Sequence, residues 1–330
     1  MNRSREKSKE NIMKLSRLVG FAGLFLLVPT LVACSDETSG DATTDEIVAA
    51  DPTTTTEAAA FPVTVDDLTL DAEPQRIVSM SATATEMLFA IGAGDKVIAV
   101  DNFSNYPAQT AELEKVDAYQ PNVEAISALE PDLVIISYDP GNLVEQLNAV
   151  SIPVFAAYAV SNLDGAYEQL EQLGALTGRL AEAVQLSATM QAEIAEIVAG
   201  VTKTDPPLTY FYELDPTLYT ITSNTFVGGV MASLGLVSIA DGVEAGNDYP
   251  QLSAEVLVDK DPSIIFLADT KCCAQSLQTV AERDGWDELT AVKTGSVVEL
   301  DDDIASRWGP RLVDLVRAVA EAVASVLAKQ

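Results

Sequence analysis

From residue 74 onward the chain alternates two patterns. Short apolar runs rich in Val and Ile fall at Arg76–Met80, Lys96–Val100, Asp132–Ser137 and Ile152–Ala157, and resume at Leu208–Tyr212, Val237–Ala240, Ser263–Ala268 and Ser296–Leu300. Stretches with helical patterning lie between them. Compact apolar runs separated by helices predict parallel strands buried on both faces, so the fold class is α/β. The two series are separated by Arg179–Gly200, which lacks proline and carries apolar residues at Leu180, Val184, Ile194, Ile197 and Val198. At about 1.5 Å per residue this segment predicts a helix of about 30 Å, stopped by Gly200 and Asp205-Pro206-Pro207. The expected body is an N-terminal lobe over 74–178, one linking helix over 179–203 and a C-terminal lobe over 204–330.

The two lobes repeat one plan. Ser81-Ala-Thr-Ala-Thr-Glu-Met-Leu-Phe-Ala-Ile-Gly92, a strand and Asp101 are echoed by Ser223-Asn-Thr-Phe-Val-Gly-Gly-Val-Met-Ala-Ser-Leu-Gly235, a strand and Asp241. Asn105-Tyr106-Pro107 is echoed by Asp248-Tyr249-Pro250, and Val123–Glu130 with its proline and apolar run by Leu252–Asp261. Open parallel sheets bind ligands beyond the carboxyl ends of their strands, so two such lobes on one strut predict a cleft lined by the segments after the strands. Tyr106, Tyr119, Tyr138, Tyr212 and Tyr249 fall in or beside those segments, and Arg307-Trp308 follows the last strand. Tyrosine offers a broad apolar face and a hydroxyl that still hydrogen-bonds, which suits a half-wet site for a bulky ligand.

Residues 1–17 are polar and basic, and Leu18–Val32 is an apolar run interrupted by Pro29. As a helix of about 22 Å this run falls short of a hydrocarbon core of about 30 Å, and the pattern is that of a secretory signal. Leu31-Val32-Ala33-Cys34 resembles the lipobox of bacterial lipoproteins. The resemblance implies removal of a signal peptide over 1–33, acylation of Cys34 and attachment to the outer face of a membrane through lipid alone. Residues 34–73 follow with runs of Thr and Ala, scattered acids and few bulky apolar side chains. Such a composition predicts a flexible tether.

Composition narrows the function. The 330 residues carry 19 Lys+Arg against 50 Asp+Glu, a net charge of −31. Six of the bases and two of the acids lie in the first 33 residues, which leaves 13 bases and 48 acids from Cys34 onward. That field repels phosphates and excludes nucleic acid and anionic lipid as partners. Histidine is absent from the sequence, which removes His-based nucleophiles and His-ligated metal or haem. Gly92-Ala-Gly94 is too short for a phosphate loop and ends a helix. Neither an enzyme nor a cofactor is expected, and a structural or adhesive surface protein would not need a duplicated cleft. Cys272-Cys273 follow a strand and read either as a vicinal disulfide or as a reduced pair. Asp301-Asp302-Asp303 lacks the spacing of a calcium loop and reads as an acidic strand end, so no metal site is expected.

The series Arg76-Ile-Val-Ser-Met-Ser-Ala-Thr-Ala-Thr-Glu86, Gly92-Ala-Gly-Asp, Asn105-Tyr-Pro107, Asn122-Val-Glu-Ala-Ile and Pro131-Asp-Leu-Val-Ile-Ile resembles the ABC-importer substrate-binding proteins for ferric siderophores and cobalamin. The resemblance covers roughly 74–330. It implies two Rossmann-like lobes, limited closure on a ligand and delivery to permease subunits. It further implies one docking acid per lobe, which by motif falls on Glu86 and Glu255; both also start helices, where acids are favoured without any docking. Because bases are scarce near the expected cleft, a large neutral corrinoid such as cobalamin fits somewhat better than a ferric siderophore, with haem as a further alternative. Tyr119 matches the place of an aromatic residue in a cobalamin-binding relative.

Overall fold

The computed structural model describes residues 61–329. The expected signal over 1–33, Cys34 and the tether as far as residue 60 lie outside the described residues. The end of the expected tether is folded. Val63–Val65 (β1) and Leu68–Leu70 (β2) pair as an antiparallel hairpin. Val-Thr-Val and Leu-Thr-Leu alternate about the Asp66-Asp67 turn, so Val65 and Leu70 are buried while the threonines face outward. The body therefore begins ahead of residue 74.

Two parallel sheets follow. The first contains β3 (Ile77–Met80), β4 (Val97–Asp101), β5 (Glu114–Val116), β6 (Leu133–Ile136) and β7 (Val154–Ala156) in the order β5-β4-β3-β6-β7. The second contains β8 (Leu208–Glu213), β9 (Leu236–Ser238), β10 (Ile264–Leu267) and β11 (Val297–Glu299) in the order β11-β10-β8-β9. In each, the first strand lies between the second and the strand after the crossover, so the second sheet is the first without β5. The duplicated plan in the sequence is thus a duplicated topology, and the fold is α/β with two separate sheets.

The strands are buried on both faces because alternate side chains enter different cores. On one side, Ile77, Leu133, Ile135, Tyr210, Tyr212, Ile264 and Phe266 join a single core that runs through both lobes. On the other, Val78, Met80, Val134 and Ile136 pack in one cluster, and Phe211, Ile265 and Leu267 in another. The shared core is bridged by helices Leu163–Leu176, Leu180–Gly200 and Leu312–Leu327. The linking helix starts within a residue of its expected position and ends at Gly200. It approaches helix Leu163–Leu176 closely at Gly174, where an added Cβ would lie 2.4 Å from Ala183 Cβ.

Candidate ligand cleft

The carboxyl ends of β3, β4 and β6 open on one cavity. Ser81 and Thr83 follow β3, where the Ser81 hydroxyl accepts from Ala84 N–H and caps helix Ala82–Ala90. Asp101 ends β4, and its carboxylate accepts from the backbone N–H of Phe103 and Ser104 at 2.9 and 2.6 Å, which folds the loop that presents Phe103. Burial raises the Asp101 carboxyl above its ordinary range, against the hydrogen bonds from Ser104 and Phe103. Tyr119 and Tyr138 stand after β5 and β6. Phe103 and Tyr119 meet edge to face, with ring centroids 5.4 Å apart. The opposite wall is a single segment of the C-terminal lobe, Asp303, Ser306, Arg307 and Trp308. Together these residues line about 320 Å³, near the lower end for small-molecule sites.

That opposite wall is clamped to the N-terminal lobe. Arg307 donates through one terminal nitrogen to Glu86 at 2.8 Å and Asn105 at 3.0 Å, and through the other to the Phe103 carbonyl and Asp303 at 2.9 and 2.6 Å. Arg311 makes a fork on Glu86 at 2.5 and 3.0 Å and lies over the Tyr106 ring, 4.2 Å from its centroid. Trp308 Nε1 donates to Gln169 at 2.8 Å. The one base lining the cleft therefore spends both terminal nitrogens inside the protein.

Several expected site residues stand elsewhere. Tyr212 is 1% exposed and donates its hydroxyl to the Ala305 carbonyl at 2.9 Å. Its position inside β8 sends the ring into the shared core, and burial raises its phenol far above the ordinary range; it is not a cleft residue. Tyr106 lines a separate depression of about 360 Å³ with Phe89, Pro107, Pro310 and Arg311. Tyr249 is exposed outside both. Glu86, expected at the surface, is 2% exposed and fully occupied by two arginines, so it cannot meet a partner. Glu255 is exposed in the first turn of helix Ala254–Lys260, capped by Ser253. Its counterpart in the repeated plan is Glu124, also exposed and in the first turn of helix Val123–Ala128, capped by Asn122. The echo between Val123–Glu130 and Leu252–Asp261 carried that equivalence in the sequence, whereas Phe103 had no signal beyond its place after a strand.

A buried acid pair sits at the ends of β8 and β10. Glu213 and Asp269 are both 0% exposed. Arg283 forks onto Glu213 at 2.7 and 2.5 Å. The ionised Asp269 side chain finds no donor, whereas a proton on it reaches Glu213. Burial and the neighbouring Glu213 charge push Asp269 up to about 7, against the pull of Arg283. Cys272 and Cys273 are joined by a disulfide. Asp301 caps helix Asp302–Ser306. Among the described residues no three Asp, Glu or Cys side chains converge as a metal site.

Two Rossmann-like sheets joined by one long helix, with an aromatic cleft between the strand ends of the first and the Asp303–Trp308 segment that follows the second, give the architecture of a bilobal ligand-binding protein. The chain belongs to the periplasmic binding protein family, which it matches over residues 77–304. It is 33% identical over 278 residues to a cobalamin-binding protein of Halobacterium salinarum, covering 80% of this chain and 75% of that one. It is 30% identical over 276 residues to YvrC of Bacillus subtilis, described as an uncharacterized ABC transporter substrate-binding lipoprotein, covering 80% and 86%. Among solved structures, the periplasmic vitamin B12 binding protein BtuF of Vibrio cholerae superposes with a TM-score of 0.64 at 27% identity, covering 77% of this chain and 98% of that one. The periplasmic heme binding protein HutB of Vibrio cholerae gives 0.67 at 20% identity, covering 75% and 98%, a likeness of fold alone. These relatives are named for binding, not for catalysis. Among the described residues no helix is long and apolar enough to cross a membrane.

Proposed function

We propose that this chain is the extracytoplasmic, lipid-anchored binding subunit of an ABC importer, and that its cargo is a cobalamin-type corrinoid. The observation that carries the reading is the cleft's lining of Phe103, Tyr119, Tyr138 and Trp308, in which the only base, Arg307, is already satisfied. Such a wall favours a large, neutral, partly apolar ring over an anionic iron chelate, whose carboxylates or catecholates would need donors of their own. At about 320 Å³ the cleft admits only part of a corrinoid, so binding requires the lobes to separate.

Docking on the permease falls to Glu124 and Glu255. Both are exposed, and both occupy the same place in the two halves of the repeat. The double variant Glu124→Ala, Glu255→Ala is expected to keep ligand affinity and lose uptake. Cys34 is the acylation site, and Cys34→Ala is expected to release the protein from the membrane. The decisive experiment titrates the purified chain with cyanocobalamin, a ferric hydroxamate and hemin, followed by absorbance. Saturable one-to-one binding of cyanocobalamin alone supports the reading; binding of either iron compound instead sinks it.

A further inference from the structure

The bond between Cys272 and Cys273 takes no part in the cleft described above, yet the loop that carries it is wired to the cleft wall. A bridge between chain neighbours closes almost no loop, so it adds little by restricting the unfolded chain. Cys272 is exposed, open to a small dithiol or to the thiols of an oxidoreductase. On its N-terminal side, Lys271 and Cys272 both donate their backbone N–H to Asp302 at 2.9 Å, and the Thr270 hydroxyl donates to the same carboxylate at 2.8 Å. Lys271 Nζ bridges Asp301 and Asp303 at 2.6 and 2.8 Å. Burial is the largest single influence and raises both carboxyls, but the Lys271 hydrogen bonds together with the neighbouring donors and positive charges hold them below their ordinary range. On its C-terminal side, Cys273 and Gln275 donate N–H groups to the Asp269 carbonyl, and Ala274 between them takes a φ of 54°.

Asp303 is the junction between this loop and the two lobes. It pairs with Arg307 at 2.6 Å and accepts from Asn105 of the N-terminal lobe at 3.0 Å. Lys271 neutralises part of the charge that Asp301, Asp302 and Asp303 would otherwise concentrate there.

We propose that Cys272–Cys273 is a redox modification site whose oxidised form holds Lys271 on Asp303 and so supports the Asn105–Asp303 contact between the lobes at the cleft. In the reduction the Sγ–Sγ bond breaks. A dithiol supplies two electrons and two protons, leaving two cysteine thiols and becoming a disulfide itself; oxidation is the reverse. With the ring open, the backbone at 272 and 273 regains its rotations, Lys271 leaves the aspartates, and the Asn105–Asp303 contact loses its support. The Lys271 side chain is 52% exposed. Its loss is therefore that of an exposed ion pair, and because the ligand enters only when the lobes separate, it is expected to bind about two- to fivefold more tightly. That last consequence rests on the ligand reading above; the loosened wall does not.

The test uses the chain purified without reductant from an oxidising compartment, before and after dithiothreitol. Thiol titration is expected to show a gain of two. Hydrogen exchange is expected to quicken over residues 103–106 and 301–307 on reduction. Lys271→Ala is expected to exchange at the faster rate while still oxidised and to respond no further to dithiothreitol. No gain of thiols, equal exchange in the two states, or a Lys271→Ala variant that still responds would each overturn the proposal. Cyanocobalamin titrated into both states then reads the link to the cleft, which equal affinities overturn. Absence of binding in both states counts against the corrinoid reading alone, because the exchange comparison needs no ligand.

Discussion

At Glu86 one carboxylate answers two guanidinium groups across the seam between the lobes, and its burial decides what a substitution does. Removing one partner of a buried pair leaves charge without solvent or counter-charge. Glu86→Ala is therefore expected to lower the unfolding free energy by about 3 kcal/mol, measured by urea denaturation, with Glu86→Gln losing less because it can still accept from an arginine. Tyr119 presents the opposite case. It is 65% exposed, so Tyr119→Ala should change stability by under about 0.5 kcal/mol. If the cleft binds an aromatic-stacked ligand, the same change should cost about tenfold in affinity. Asp269 gives a pH signature. Its carboxyl titrates near 7 in the fold against an ordinary 3.8, so between those values the folded chain holds a proton that the unfolded chain has lost. Stability from this group is present below about 4, falls as pH rises to about 7 and then levels off. The melting temperature is expected to decline from pH 5 to pH 8, and Asp269→Asn should flatten that slope.

At the scale of elements, the contact between the linking helix and helix Leu163–Leu176 sets two effects against each other. On an exposed helix, Gly174→Ala would gain up to about 1 kcal/mol of helix propensity. Here the new methyl would stand 2.4 Å from Ala183 Cβ and 2.9 Å from the Arg179 carbonyl. Overpacking of that kind costs about 1–3 kcal/mol, so the variant is expected to melt lower. Legibility in the sequence follows the same physics. The eight expected strands and the strut were readable because each is a compact apolar run or a long proline-free helix with its own stop signal. The polar edge strand β5, Glu-Lys-Val, and the short hairpin β1–β2 were not, since neither has a run of apolar residues longer than one. The cleft was half readable. Position after a strand located Tyr119, Tyr138, Arg307 and Trp308, but it could not tell them from Tyr212, whose ring turns inward by one step of strand alternation. Nor could it foresee that Arg307 and Arg311 would converge on Glu86, more than two hundred residues away.

For the whole molecule the governing quantity is charge. From Cys34 onward 48 acids face 13 bases, and most of the acids among the described residues are exposed. Self-repulsion of such a surface opposes the compact state, and salt screens it over a Debye length that falls from about 10 Å at 0.1 M to about 3 Å at 1 M. The buried Glu86 and Glu213 pairs are shielded from that screening, so added salt should remove repulsion while sparing the fold's internal ion pairs. The melting temperature is expected to rise as sodium chloride is raised from low concentration toward 1 M. Docking through Glu124 and Glu255 would respond with the opposite sign, because screening weakens the attraction between acids and a basic permease surface and slows their encounter. The two readouts can be taken over one salt series, with melting followed by circular dichroism and permease association by surface capture. Stability rising while association falls is the expected result; association that holds steady with salt would mean that the acid pair does not carry the docking.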